Sequence, residues 1–135
     1  LYSLSSPAME LPEEFTVKEW YEFMDKTKGF DSTVDLNSLQ ELCKFSNKTI
    51  NKPMYTFSSG MKQRVKLCGA FLTHVPLVIL DEPLSNLDEN GFNLYHELWN
   101  QCQDQKAIVV ASNDEKEYHQ VNQRLRIEAK KIITQ

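Results

Sequence analysis

The sequence predicts an α/β protein: a small parallel sheet flanked by helices, with a separate helical unit in its N-terminal half. Three observations predict it. Residues 15–45 repeat apolar side chains at helical spacing, and two unbroken apolar runs, LVIL at 77–80 and AIVVA at 107–111, have the composition of strands. An amphipathic helix lies between those runs, so strand, helix and strand make one right-handed parallel crossover. With 135 residues, 41% of them apolar, the chain can bury one ordinary core and leaves no room for a second full domain.

The elements follow in order. The opening LYSLSS reads as the end of a strand, and a first residue that is Leu1 rather than Met points to a piece of a longer protein. Val17, Trp20, Tyr21 and Met24 form one apolar stripe, with Thr16 placed to cap its helix and Gly29 to end it. Leu36, Leu39, Leu42 and Cys43 repeat the spacing, predicting a second helix packed antiparallel on the first. Residues 46–56 are polar, contain Pro53 and show no period, so they are expected to be a connecting loop. From Ser58, a helix with Met61, Val65, Cys68 and Leu72 on one face closes before Pro76. The two apolar runs lack polar alternation, as strands covered on both faces require. Phe92, Tyr95, Leu98, Trp99 and Cys102 mark the helix between them. The final RLRIEAKKIIT holds two short strand-like runs around 128–131, read as an edge hairpin. The expected division is 1–57 and 58–135.

Composition excludes several function classes. Nineteen acidic residues against fifteen basic give a formal charge of -4, which removes the basic footprint of a nucleic-acid binder. No apolar run approaches the roughly 18 residues of a membrane span, and the N-terminus lacks a signal-peptide pattern, so the chain reads as cytosolic. Cys43, Cys68 and Cys102 are odd in number, far apart and without a CxxC pair, so buried reduced thiols are expected rather than a disulfide frame or zinc site.

Ligands of open parallel sheets bind beyond the carboxyl ends of the strands. The run at 77–80 leads directly into Asp81, Glu82 and Pro83. Two adjacent carboxylates there can divide labour, the first holding magnesium through water and the second orienting or deprotonating an attacking water. Either can equally cap a local turn. Ser58 lies 23 residues before Asp81, in FSSGMKQR, which places Ser58, Ser59 and Gly60 where free backbone N–H groups at a helix start attract an anion. Ser58 as a plain helix cap explains the same residues. The segment LSNLD at 84–88 follows the carboxylates, with Asp88 also suited to capping the next helix.

Together, in this order and spacing, the three elements resemble the ATP-binding cassette family, the nucleotide-hydrolysing subunits of ABC transporters. FSSGMKQR is similar to its signature loop, LVILDEP to its Walker B strand with the catalytic glutamate, and SNLD to its D-loop. Residues 14–45 resemble the helical subdomain inserted before the signature. The resemblance implies a partial P-loop NTPase (RecA-like) sheet with a small helical subdomain, acting as an ATPase with ATP and Mg2+. It implies a head-to-tail dimer with a second ATP-binding subunit, peripheral on the inner, cytoplasmic face of the membrane against a transmembrane permease subunit. Glu82 would be the general base and Asp81 the magnesium ligand acting through water. Ser58 and Gly60 would contact the γ-phosphate held by the opposite subunit, and Asp88 would line the dimer interface.

The chain departs from the family pattern in four ways. None of its four glycines begins a GxxxxGK[ST] phosphate loop, so this chain alone is expected neither to bind ATP tightly nor to hydrolyse it, with the missing strand and loop upstream in the parent protein. Ser59 replaces the first signature glycine. Asn113 stands in place of the switch histidine, and Ser6 in place of the Q-loop glutamine, so the base is kept while two γ-phosphate sensors are lost. The leading reading is a fragment of a transporter ATPase. The alternative is a degenerate regulatory or structural subunit that lends its signature to a competent partner. A chromosome or DNA-repair ATPase fits less well, because the charge is negative and no heptad segment interrupts the core. Short helical spacing points by analogy to compact, haem-exporter-like subunits. His74, His96 and His119 are expected to be structural or exposed, and the aromatic cluster of Trp20, Tyr21 and Phe23 to be core with a share in docking the permease's coupling helix.

Overall fold

The computed structural model describes residues 1–128 and 131–134. Strands β1 (Ser3–Ser5), β2 (Leu77–Asp81) and β3 (Ala107–Ala111) form a parallel sheet in that order. The register pairs Ser5 with Leu80 and Asp81 with Ala111, so all three strands end together.

Between β1 and β2 lies the helical unit. Helix α1 (Val17–Thr27) starts at Thr16, whose hydroxyl accepts from the Glu19 N–H while the Glu19 carboxylate accepts from the Thr16 N–H. This reciprocal pair satisfies two donors that the first turn would otherwise leave free. The helix ends where Gly29 adopts φ +72°, a left-handed turn that costs glycine little. Helix α2 (Leu36–Cys43) is capped by Asp35 and closed by Lys44 in the left-handed region. The expected loop at 46–56 instead contains α3 (Asn47–Ile50), capped by the Ser46 hydroxyl, and a 3-10 turn at Met54–Thr56. Pieces this short carry too few residues for a readable period. The expected antiparallel pairing of α1 with α2 is also corrected: α2 packs mainly on α4 (Ser59–Leu72) and α5 (Glu89–Cys102).

Helix α4 is the centre of the molecule. It packs across β1 and β2, against α5, and against α2. Trp20 of α1 also lies over its Gly69. Gln63 and residues 65–72 are consequently buried on every side, where sequence periodicity predicted one apolar face. Its C-terminal carbonyls receive a buried cation, Lys106, whose ammonium donates to the carbonyls of Phe71 (2.6 Å) and Thr73 (2.7 Å) and to the Asp31 carboxylate (2.9 Å). A positive charge there complements the helix dipole.

The apolar strand runs are covered on one face, not both. Val78 and Leu80 are fully buried and Ile108 and Val110 pack on the core, but Leu77 and Ile79 are only half-buried and Val109 is 53% exposed. The described residues supply helices to a single face of the sheet. After β3 come α6 (Glu115–Tyr118), β4 (Leu125–Glu128) and β5 (Lys131–Thr134). The last two pair antiparallel as a sheet of their own rather than on the edge of the parallel one, and the hairpin's connection at 129–130 lies outside the described residues. All three cysteines are free and buried, as expected, but Cys43 and Cys68 are neighbours in space despite their separation in sequence.

A Cβ at position 69 would lie 2.7 Å from Cζ2 of Trp20, so the indole must move off α4. Gly69→Ala is expected to destabilise the fold by about 1–3 kcal/mol, read as an earlier urea midpoint by tryptophan fluorescence; an unchanged midpoint contradicts the tight α1–α4 seam.

Candidate functional site

Parallel strands that end together bring Ser6, Asp81, Glu82 and Asn113 to one edge of the sheet. Asp81 is the last residue of β2 and is exposed. One of its carboxylate oxygens, Oδ2, accepts from the hydroxyl of buried Ser6 at 2.9 Å, joining the ends of β1 and β2 through side chains. Glu82 is exposed and left-handed at φ 42°, a conformation unusual for a residue with a Cβ and found where surrounding structure dictates it. That structure is visible: the Glu82 N–H donates to the Ala111 carbonyl (2.9 Å), and its own carbonyl accepts from the Ser85 N–H (3.0 Å). Neither acidic side chain caps this turn; the backbone makes it.

The turn continues through residues 83–88. The Asp88 carboxylate accepts from the Gly91 N–H at 2.9 Å and caps α5, so the cap reading of this residue is realised. Ser58 likewise caps α4, its hydroxyl accepting from the Met61 N–H at 3.2 Å. Ser58 and Ser59 are exposed and Gly60 half-buried. The first-turn N–H groups of Ser59 and Gly60 have no acceptor within the helix. A Cβ on Gly60 would stand 2.8 Å from the Asn86 carbonyl oxygen, so glycine is required there by the 84–88 segment, and the first turn of α4 touches that segment. Asn113 is exposed two residues beyond β3, and its side chain makes no hydrogen bond to the described residues.

Three residues that sequence patterning passed over support this edge. Gly60, Gln63 and Lys66 are spaced three apart along α4. The Gln63 amide donates to the Pro83 carbonyl at 3.1 Å, and the Lys66 ammonium donates to the carbonyls of Ser6 (3.2 Å) and Pro7 (3.3 Å). Burial, then repulsion from Lys62, lowers the Lys66 pKa from the ordinary lysine value. A polar stripe is normally a solvated face, and only the tertiary contacts reveal this one as the back wall of a site. Glu117 of α6 is the third, buried and acidic, its Oε1 accepting from the Leu84 N–H at 2.8 Å. It ties the helix after Asn113 to the turn after Glu82.

Of the remaining candidates, His74 is exposed and pairs with Asp31 at 3.3 Å. The His96 and His119 rings meet at 5.0 Å, which their sequence separation did not suggest, and burial lowers the His96 pKa. Among the described residues no three His, Cys, Asp or Glu side chains are grouped to hold a metal. Asp81 and Glu82 are the exposed carboxylates at this edge, too few for an all-protein cage, and a magnesium ion would need water or phosphate for its other ligands. In the aromatic cluster, Trp20 is buried and Tyr21 stacks on Phe30 at 4.8 Å, leaving Phe23 as the exposed member. No helix among the described residues is long and apolar enough to cross a membrane.

A family profile described as "ABC transporter" matches residues 5–85. The chain is 31% identical over 94 residues to a zinc import ATP-binding protein, ZnuC, of Pseudomonas entomophila (strain L48), covering 68% of this chain and 36% of that one. It is 50% identical over 46 residues to a cytochrome c biogenesis ATP-binding export protein, CcmA, of Methylococcus capsulatus, covering 34% of this chain and 22% of that one. The chain spans between 21% and 36% of the length of the first three curated relatives. A solved ATP-binding subunit of an ABC transporter superposes with a TM-score of 0.72 at 26% identity, covering 82% of this chain and 48% of its own. A dimeric bacterial ABC transporter cassette superposes with a TM-score of 0.67 at 18% identity over 87% of this chain and 54% of its own, showing the same α/β nucleotide-binding fold.

Removing the Glu117 carboxylate leaves the part-buried Leu84 N–H without its acceptor. Glu117→Ala is expected to speed hydrogen exchange at the Leu84 amide and to cost about 1–3 kcal/mol of stability; exchange at that amide unchanged from wild type contradicts the tether. Gly60→Ala, by driving a Cβ at the Asn86 carbonyl, is expected to displace the 84–88 turn, seen as shifted amide resonances for Leu84 to Asp88.

Proposed function

The chain belongs to the ABC transporter family, and we propose that it is part of a transporter's ATP-binding, ATP-hydrolysing subunit, driving transport through a separate membrane permease. The observation that carries this reading is the exposure of Asp81 and Glu82 together at the sheet's carboxyl edge, with the signature turn exposed at a second position beside the D-loop segment.

In this reading ATP would supply the phosphate chain and Mg2+ would neutralise part of its charge, and the residues here would position and polarise around it. Glu82 is the general base for the attacking water, held at φ 42° by the backbone bonds to Ala111 and Ser85. Asp81 would hold magnesium through water, leaving its other carboxylate oxygen, Oδ2, to the Ser6 hydroxyl. Ser6 replaces a longer sensor and is spent on orienting Asp81. The free N–H groups of Ser59 and Gly60, with the Ser58 hydroxyl beside them, face the γ-phosphate of a nucleotide carried by a second ATP-binding subunit arranged head to tail. Asp88 lies at that interface. Asn113 donates to the γ-phosphate without carrying a proton. The GxxxxGK[ST] cradle is not among these 135 residues, so the reading assigns it to another part of the protein. The subunit would sit on the cytoplasmic face of the membrane, with Phe23 and its neighbours among the residues that meet the permease.

A second reading is favoured by a specific observation: Ser6, which the resemblance sets with Asn113 in place of the family's γ-phosphate sensors, is turned inward on Asp81. A subunit so altered would lend its signature turn to a competent partner and hydrolyse little itself.

Turnover of the full-length protein separates the two readings. For the enzyme, Glu82→Gln is expected to lower kcat by at least about 100-fold, and Asn113→His to raise it. A full-length protein whose turnover ignores both substitutions is the lending subunit instead. Chain 1–135 alone is expected to show no tight ATP binding by fluorescence of Trp20 and Trp99; micromolar binding contradicts the split of the site.

A further inference from the structure

Cys43 closes α2 and Cys68 lies in the middle of α4, with their Sγ atoms 3.5 Å apart. Both side chains are fully buried. The approach is fixed by a second contact from the same face of α4, because Arg64, one turn before Cys68, donates its guanidinium to the Cys43 carbonyl at 2.7 Å. Arg64 also lies over the Phe45 ring at 5.1 Å. One helix thus grips both the backbone and the side chain of Cys43, and a contraction of roughly 1.5 Å would bring the sulfurs to bonding distance. Cys102 belongs to another site, directed at the Phe71 carbonyl at 3.4 Å.

We propose that Cys43 and Cys68 are a reversible modification site, oxidised by a hydroperoxide to a disulfide that locks α2 onto α4, the helix that starts at the signature turn. The balance is simple. One sulfur attacks the peroxide O–O bond, becoming a sulfenic acid and releasing water from hydrogen peroxide, or the alcohol from an organic hydroperoxide. The second attacks that sulfur, the S–O bond breaks, and the departing hydroxide takes the remaining thiol proton as water. Two thiols give up two electrons and two protons, and a dithiol reductant reverses the step.

The resting pair is protected. Contact with Cys43 and burial push the Cys68 thiol well above its ordinary pKa, so it is not a nucleophile while α2 is closed. Helix α2 has eight residues, too few to be stable without its packing, and its opening sets the rate. Oxidation is therefore slow in buffer and faster in mild urea. The closed disulfide spans 25 residues of chain and is expected to raise the thermal midpoint by roughly 10 °C.

The test is peptide mapping of the wild-type protein after hydrogen peroxide, with and without sub-denaturing urea. The expected result is a Cys43–Cys68 cross-link, a loss of about two mass units, titratable thiols falling from three to one, and full reversal by dithiothreitol. A Cys102→Ser variant forms the same link, and Cys68→Ser forms none. Oxygen adducts on separate cysteines, links that use Cys102 or join two chains, or no reaction in urea would each overturn the proposal; the mapping needs no variant to fold.

Discussion

Parallel alignment of three strands is the constraint on which the site depends. Because Ser5, Leu80 and Val110 share one level of the sheet, the next residue of each strand arrives at the same edge. Ser6 meets Asp81 by this register alone, and their hydrogen bond follows from it. Antiparallel pairing would send alternate strands to opposite edges and scatter these groups. The apolar residues of β2 and β3 alternate between a face buried under the helices, with Val78 and Leu80, and a face left half-buried or exposed, with Ile79 and Val109.

Helix α4 converts that edge into a defined geometry. Its burial on all sides fixes its axis, so the contacts along Gly60, Gln63 and Lys66 place the turn after β2 and the turn after β1 relative to each other. Lys106 secures the far end of the helix, and Glu117 secures the 84–88 turn from the opposite side. Burying Lys66 and Lys106 is costly, and both spread the cost over backbone carbonyls at the ends of β1 and α4. One helix therefore touches both the turn at 84–88 and the end of β1.

Much of this was legible in the sequence, for physical reasons that differ by element. The caps at Thr16 and Ser58, the strand runs and the α5 stripe are local properties, set by residues within a turn of one another. The short helices at 47–50 and 54–56 fell below the length at which a period exists. The all-round burial of α4, the Cys43–Cys68 contact and the roles of Gln63, Lys66 and Glu117 depend on partners between 20 and 60 residues away, and no window along the chain contains them. A lone buried glutamate in a four-residue helix carries no signal of its own until the N–H of Leu84 is placed beside it.

Ser58 and Asp88 show why cap and site were not true alternatives. Both side chains do cap helices, and capping uses the hydroxyl or carboxylate on the N–H at the third position of the turn. The N–H groups of the first two positions stay free, which is the property a phosphate needs. A cap therefore prepares an anion site rather than competing with it, by fixing the first turn with the remaining donors pointed outward. What distinguishes the start of α4 from that of α5 is its setting. At α4 those donors are exposed beside a glycine that the D-loop carbonyl forbids to carry a side chain, and the same carbonyl belongs to the turn that follows the two acids. The nucleotide reading rests on that adjacency, which no capping argument requires.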